Sequence, residues 1–288
     1  MIFAYETCEQ QERSMIMDHQ TVRVAAVQMD CRLGQKEHNL EKAYRLIRQA
    51  ANQRASFVVV PELFNTGYRV EEEDVALAET IPGKTTDWMV ETAKECNIVL
   101  VGCLLEQGES RGLVYDTSVI VTPQGINGKY RKTSLWDQEN VRFTKGDAFP
   151  VFDLGWAKIG MQICYEIGFP EGARILGLKG ADILVYPSAF GKPRLYAWDL
   201  ATRSRALENG CFLIAANRTG TEKGETTFAG HSRITNPKGE VLSEATKDDD
   251  VIVAEIDLRQ VAEQRRKIPY LRDLNKKLVA EQFKNITN

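Results

Sequence analysis

The chain has 288 residues, 43% hydrophobic and 27% charged, with 37 Lys and Arg against 40 Asp and Glu for a formal net charge of −3. This composition excludes collagen-like, disordered and polybasic chains, and a negative charge gives no counterion-release drive toward nucleic acid. No stretch approaches the roughly eighteen apolar residues of a membrane span, so a protein acting on a small molecule is expected.

Residues 1–20 lack the basic start and apolar core of a signal peptide and are read as an N-terminal extension of a cytoplasmic protein. From Thr21 onward no Pro/Gly/Ser linker interrupts the chain, so residues 21–288 are expected to form a single domain ending in a C-terminal arm. Residues 22–30 read as a strand and 38–53 as an amphipathic helix with Leu40, Ala43, Tyr44, Ile47 and Ala50 on one face. Residues 57–61 read as a buried strand, 85–96 as a helix with a Thr cap, 97–106 as a strand, and 113–132 as two strands joined by a turn at 123–125.

The second half repeats this style, with a strand at 157–164, a helix at 170–181 opened by Pro170, a strand at 182–187, a helix at 195–210 and a strand at 211–217. Residues 231–237, 239–245 and 251–257 add antiparallel strands, and a charged helix or arm follows. Strands this apolar need cover on both faces, so two mixed sheets packed together with helices outside, a four-layer α-β-β-α sandwich, are expected.

Six cysteines (Cys8, Cys31, Cys96, Cys103, Cys164 and Cys211) are scattered without a CxxC pair and read as reduced thiols. The histidines His19, His38 and His231 lie far apart, so no zinc spacing is present; neither is a GxGxxG or P-loop motif, and no cofactor or metal is expected.

Catalytic groups in an α/β protein concentrate where strands end and loops begin. Glu62 directly follows the run VVVP, Lys132 ends GKYRK, and Cys164 ends AKIGMQIC just before a helical segment. A sulfur on such a turn can be lifted into a cleft while the N–H groups behind it face an incoming oxyanion. The base could be His231, oriented by Asn217 or Asn236. Alternatively, Glu62 could take the thiol proton while the Lys132 ammonium stabilises the developing charge.

The segments PELFNTGY, KYRKTSLWDQE and ICYEIGFPEGAR, in that order, resemble the three signature segments of the nitrilase, or carbon–nitrogen hydrolase, superfamily, over about residues 22–274. The resemblance implies the four-layer sandwich, Glu62 as general base, Lys132 as stabiliser of the tetrahedral intermediate and Cys164 as nucleophile. It also implies Glu139 as a second acid bonded to the lysine and the Tyr165 N–H as an oxyanion donor. The reaction implied is amide hydrolysis through a thioester, releasing ammonia and a carboxylic acid, without cofactor, in a homodimer or higher homo-oligomer with the helices at 170–181 and 195–209 at its interface.

True nitrilases in this family usually carry Trp after the cysteine. Here Tyr165 follows, and Phe169, Pro170 and Glu171 fit the amidase branches, although Glu166 stands where those branches commonly have Asp. RSRALENG and IPYLRDL are similar to amidases of short ω-amino or amino-acid amides. An N-carbamoyl amidohydrolase is the alternative, its carboxylate clamp drawn from Arg194, Arg203 or Arg205. Tyr68, Trp136, Tyr165, Phe169, Phe190 and Trp198 are candidate pocket walls, and Ser188 and Ala189 lie where a loop would reach the acyl group. A thiol protease built on Cys164 and His231, and a catalytically silent binding protein, are the readings from other classes.

Overall fold

In a computed structural model, which describes residues 21–246 and 248–287, the first β-branched run forms strand β1 (Thr21–Gln28) and its pleat sets the layering. Successive side chains of a strand point to opposite faces. Ala25 and Val27 pack outward with Ala43, Ile47 and Ala50 of helix α1 (Lys36–Asn52), whereas Val24 and Ala26 join the core shared with the second sheet. Strand β2 (Phe57–Val59), helix α2 (Lys84–Cys96) and strands β3 (Val99–Gln107), β4 (Val114–Thr122) and β5 (Gly125–Arg131) complete the first half. The first sheet has six strands in the order β14-β1-β2-β3-β4-β5, with β1, β2 and β3 parallel and the other pairs antiparallel.

The second sheet repeats the plan: β13-β12-β9-β8-β7-β6, with β7, β8 and β9 parallel. Its members are β6 (Val151–Asp153), β7 (Lys158–Met161), β8 (Ile183–Ser188), β9 (Phe212–Asn217), β12 (Arg233–Thr235) and β13 (Val241–Glu244), while β14 (Asp250–Asp257) crosses back to the first sheet. Helices α3 (Pro170–Leu178) and α4 (Leu195–Asn209) cover its outer face, and β1, β2 and β3 meet β8 and β9 across the interior. This is the expected α-β-β-α sandwich of two mixed sheets. Between β9 and β12 lies a hairpin of two-residue strands, β10 (Thr221–Glu222) with β11 (Thr226–Thr227), whose Glu222 carboxylate accepts the N–H groups of Tyr68 and Arg69.

Several local expectations shift. Asn39 rather than Tyr44 lies on the buried face of α1, because its amide donates to the carbonyls of Arg32 (2.7 Å) and Asn65 (2.9 Å). The residue capping α2 is Gly83, and Thr86 reaches back to accept its N–H at 2.8 Å. Pro269 has no N–H to continue a helix, so the C-terminal segment divides into α5 (Arg259–Lys267), a short turn (Tyr270–Asp273) and α6 (Lys276–Thr287). The extension assigned to residues 1–20 lies outside the described residues. Among the described residues no helix is long and apolar enough to cross a membrane.

Candidate active site

Strand β2 delivers Glu62 to the interior just beyond its carboxyl end, where the carboxylate is fully buried. One oxygen accepts from Lys132 Nζ at 2.6 Å and the other from the Ala189 N–H at 2.7 Å, so the loop after β8 is tied to the loop after β2. Lys132 follows the last residue of β5. Its N–H donates to the Asp116 carbonyl at 2.9 Å, which extends the β4–β5 ladder past the strand end and fixes where the side chain departs. The ammonium, also fully buried, meets three carboxylates: Glu62 at 2.6 Å, Glu139 at 2.9 Å and Asp116 at 3.3 Å. An ammonium has three N–H donors and this one uses all of them. Oxygens of these carboxylates lie within 4.8 Å of one another, a spacing that would suit a metal ion, but the cation they hold is the lysine's own.

Cys164 opens a single 3₁₀ turn, Cys164–Gly168, between β7 and α3, with φ at +47°. A non-glycine residue in this left-handed region is strained, and such strain is found where a side chain must be presented at a fixed angle. Arg205 of α4 holds the far end of the turn through the carbonyls of Ile167 (3.0 Å) and Gly168 (3.2 Å). The sulfur faces the Ala189 N–H, the same group that binds Glu62, and feels the charges of Glu62 and Lys132.

Burial and the Glu62 charge push the Cys164 thiol well above its ordinary range, against the pull of Lys132, so the resting sulfur is a thiol. Burial likewise pushes Glu62 up to about 7, with Lys132 opposing and Asp116 adding to the rise. Burial alone would lower Lys132, but Glu139, Glu62 and Asp116 together raise it well above its usual value and keep it charged. A carboxylate near neutrality beside a thiol and a permanent cation can shuttle one proton while the cation stabilises a nascent oxyanion.

Cys164 and Ala189 lie on the wall of a cavity of about 710 Å³ walled also by Tyr68, Trp136, Tyr165, Phe190 and Arg194, with Thr226 and Thr227 of the β10–β11 hairpin on its rim. Tyr68 donates its hydroxyl to Glu139 at 2.6 Å, and Glu139 also accepts the Trp136 N–H at 2.8 Å. The family model of carbon-nitrogen hydrolases matches residues 23–266. The chain belongs to the carbon–nitrogen hydrolase family. A Pyrococcus abyssi protein named nitrilase is 42% identical over 259 residues, covering 88% of this chain and 95% of its own. The human omega-amidase NIT2 is 36% identical over 260 residues, covering 86% and 94%. The crystal structure of a carbon–nitrogen hydrolase from Helicobacter pylori G27 matches with a TM-score of 0.85 at 30% identity, covering 92% of this chain and 98% of the other.

Some residues singled out in the sequence of this hydrolase fall elsewhere. Phe169 stands behind Tyr165, edge-on at 5.0 Å and 36% exposed, because the turn carries it to the outer side of the ring. Ser188 is buried at the end of β8 with its hydroxyl on the Tyr186 carbonyl, so it does not line the cavity, and Trp198 packs under Phe190 at 5.2 Å. His231 pairs with Glu244 at 2.6 Å, Asn217 bonds to the backbone of Phe190 and Gly230, and Asn236 bonds to Glu240. Among the described residues no Cys–His–Asn arrangement is assembled. Of the three candidate arginines, Arg203 is spent on the Gly239 carbonyl and Arg205 on the Cys164 turn, leaving Arg194 in the cavity.

Sequence reasoning missed Asp116 and the structural work of Glu166. Asp116 sits in the middle of a strand, where the side chain's face, and so its partners, depends on the pairing of β4 with β3 and β5. Glu166 is buried and accepts from the Tyr130 hydroxyl (2.7 Å), the Thr133 hydroxyl (2.6 Å), and the N–H groups of Thr133 (2.8 Å), Ser134 (3.1 Å) and Ile163 (2.8 Å).

Proposed function

We propose that the protein hydrolyses the terminal amide of a short carboxylic acid, releasing ammonia, through a thioester on Cys164. The observation that carries this reading is that the Glu62 carboxylate joins the Lys132 ammonium to the Ala189 N–H, which the sulfur of the strained Cys164 turn also faces at the cavity wall. Glu62 takes the Cys164 proton as sulfur attacks the amide carbon, and the oxyanion is met by the Lys132 charge and by the Tyr165 N–H in the first turn, where no intrahelical acceptor exists. Collapse breaks the C–N bond and the proton on Glu62 passes to the departing nitrogen. Water, deprotonated by the same carboxylate, then opens the thioester, and the acid and the thiol are restored.

The substrate class rests on charge. Four cations line the cavity: Arg69 is neutralised by Glu71 and Glu225, Arg142 by a two-pronged bond to Asp74 at 2.7 Å, Lys192 is exposed to solvent, and Arg194 is half-buried. Among the described residues Arg194 has no ion-pair partner; it lies over the Trp136 ring at 4.3 Å, with Phe190 at 5.7 Å. A stacked guanidinium at the mouth suits a carboxylate at the far end of a small amide, which agrees with the name of the human relative. An N-carbamoyl amino acid would use the same clamp and is the second reading.

Ammonia release from monoamides of short dicarboxylic acids, neutral aliphatic amides, N-carbamoyl amino acids and aliphatic nitriles, with Cys164→Ala beside the parent, tests the proposal. Cys164-dependent release that prefers the anionic amides, and a KM for them that rises about tenfold or more in Arg194→Ala while neutral amides are unaffected, is the expected result. Release that persists in Cys164→Ala sinks the mechanism, and equal use of neutral amides sinks the clamp. The free thiols at Cys31, Cys96, Cys103, Cys164 and Cys211 support a cytoplasmic location. Exposed Ile175, Leu178, Tyr196 and Leu200 on α3 and α4 support a homodimer or higher homo-oligomer through those helices.

A further inference from the structure

Tyr68 stands in the cavity wall and donates its hydroxyl to Glu139 at 2.6 Å, so its ring joins the cavity to the carboxylates around Lys132. A hydroxyl at the far end of a ring is only as well placed as the peptide that carries it. That peptide lies in the loop after β2, outside any strand or helix, and charged side chains grip it from both directions. Arg142 donates to the Tyr68 carbonyl at 2.9 Å and is itself fixed by Asp74. From the other side comes Glu222 of β10: one carboxylate oxygen accepts the Tyr68 N–H at 3.2 Å and the other the Arg69 N–H at 2.9 Å.

Arg218, four residues earlier and fully buried, holds that carboxylate with an ion pair at 2.5 Å. Its guanidinium also lies over the Phe228 ring at 4.7 Å, and Phe228 meets the Tyr68 ring edge-on at 6.1 Å, so Arg218 reaches Tyr68 along two routes. Gly67 leaves room for the carboxylate: at φ +83°, a Cβ there would stand 3.1 Å from a Glu222 oxygen and 2.8 Å from a Leu33 methyl. The arrangement is a costly one. Nε and Nη1 of Arg218 have no hydrogen-bond partner among the described residues, and a buried ion pair offsets its desolvation only when the remaining donors are satisfied. Stability alone does not account for the pair; the geometry it imposes on Tyr68 does.

We propose that Glu222, held by Arg218, is a positioning residue for turnover: from the hairpin side it fixes the Tyr68 peptide, so that the Tyr68 hydroxyl stays on Glu139 and Glu139 stays on Lys132. The inference rests on the amide-hydrolase reading above, in which the Lys132 charge meets the oxyanion. It makes the hairpin on the cavity rim a part of the catalytic framework and not only a wall.

The test is a double-mutant cycle of Glu222→Gln and Tyr68→Phe in the full chain, read as kcat and KM for the amide that the parent uses best. Gln offers one acceptor oxygen where two N–H groups need two, and its own N–H₂ is set against the Arg218 guanidinium. Glu222→Gln should lower kcat about five- to tenfold with KM within about twofold. In the Tyr68→Phe background, where the hydroxyl is already gone, the same change should cost less than about a further twofold. Losses in kcat that multiply overturn the proposal, because Glu222 then acts on turnover without Tyr68; so does an unchanged kcat, or a loss confined to KM. Amide hydrogen exchange, read residue by residue in the parent, gives a second arm. The Tyr68 and Arg69 amides should exchange about 100-fold or more slower than those of the exposed loop 109–112, and parent amides that exchange as fast as that loop overturn the proposal even if no Glu222 variant folds. This arm needs no turnover, so a parent that hydrolyses no amide counts against the amide-hydrolase reading, and fast exchange counts against this inference.

Discussion

Glu166 accepts the backbone N–H of Thr133 at 2.8 Å, so the second residue past Cys164 is bonded to the first residue past Lys132. The same carboxylate takes the Ile163 N–H just before Cys164 and the hydroxyls of Thr133 and Tyr130 on either side of Lys132 in sequence. One side chain therefore sets the spacing between two loops that approach from different sheets. Glu166→Ala leaves these buried donors without an acceptor and should lower stability by about 1–3 kcal/mol. It should also reduce kcat by about 100-fold with KM little changed, because misplacement of reacting groups by about 1 Å is enough for that loss. Thermal unfolding and steady-state kinetics on the same preparation check both; an unchanged kcat would show that the loops hold their spacing without it.

Cys164 is strained by its own backbone. At φ +47° a side chain costs roughly 1–2 kcal/mol that glycine does not incur. Both Cys164→Ala and Cys164→Gly should be inactive, but the glycine variant should be the more stable by about 1 kcal/mol once its greater unfolded-state entropy is offset. Denaturant midpoints of the two variants decide this, and a less stable glycine variant would mean the turn is not strained.

On the proposed mechanism Glu62 must be ionised to take the thiol proton, and its carboxyl is pushed up to about 7 by burial. kcat/KM should therefore fall with one-proton dependence as pH drops through about 7. The sign for stability is opposite. A carboxyl whose folded value lies above its ordinary 4.5 binds a proton more tightly in the folded state, so its stabilising contribution is complete below about 4.5 and lost as pH rises through about 7. A pH–rate profile set beside a pH–melting profile should show the two trends crossing the same window.

Tyr68 donates to Glu139 at 2.6 Å, and burial holds its hydroxyl well above its ordinary titration range, so it remains a donor. Tyr68→Phe keeps the cavity wall and removes that bond. A loss of about tenfold in kcat/KM is expected, the worth of one hydrogen bond to a charged group. An undiminished rate would mean that Lys132 and the Trp136 N–H hold Glu139 by themselves.

The positions of Glu62 and Cys164 at strand ends were legible because each closes an apolar run, whereas Lys132 closes the polar run GKYRK and was singled out by the strand-and-turn pattern before it and by the resemblance of KYRKTSLWDQE. Residues whose role depends on which face they occupy were not legible. Asp116 lies within β4 and Glu166 within one turn, and their partners are set by pairing and packing among segments distant in sequence. Phe169 and Ser188 show the reverse error, since nearness in sequence to a motif does not say that a side chain faces the cavity. The sandwich itself followed from apolar strands that need two covered faces. The strands Val151–Asp153, Thr221–Glu222 and Thr226–Thr227 are too short for any periodicity to register, so the hairpin on the cavity rim was not foreseen.

The two sheets divide the proposed catalytic groups between them: Glu62 and Lys132 leave the ends of β2 and β5, whereas Cys164 follows β7 and the Ala189 N–H follows β8. Neither sheet carries a working half-reaction alone. During refolding, strand pairing within each sheet could be complete while Cys164 and Glu62 still lay on separate surfaces. Return of catalysis therefore times the closing of the interior seam, and a spectroscopic signal from secondary structure that recovers ahead of it would measure how long the two halves wait to meet.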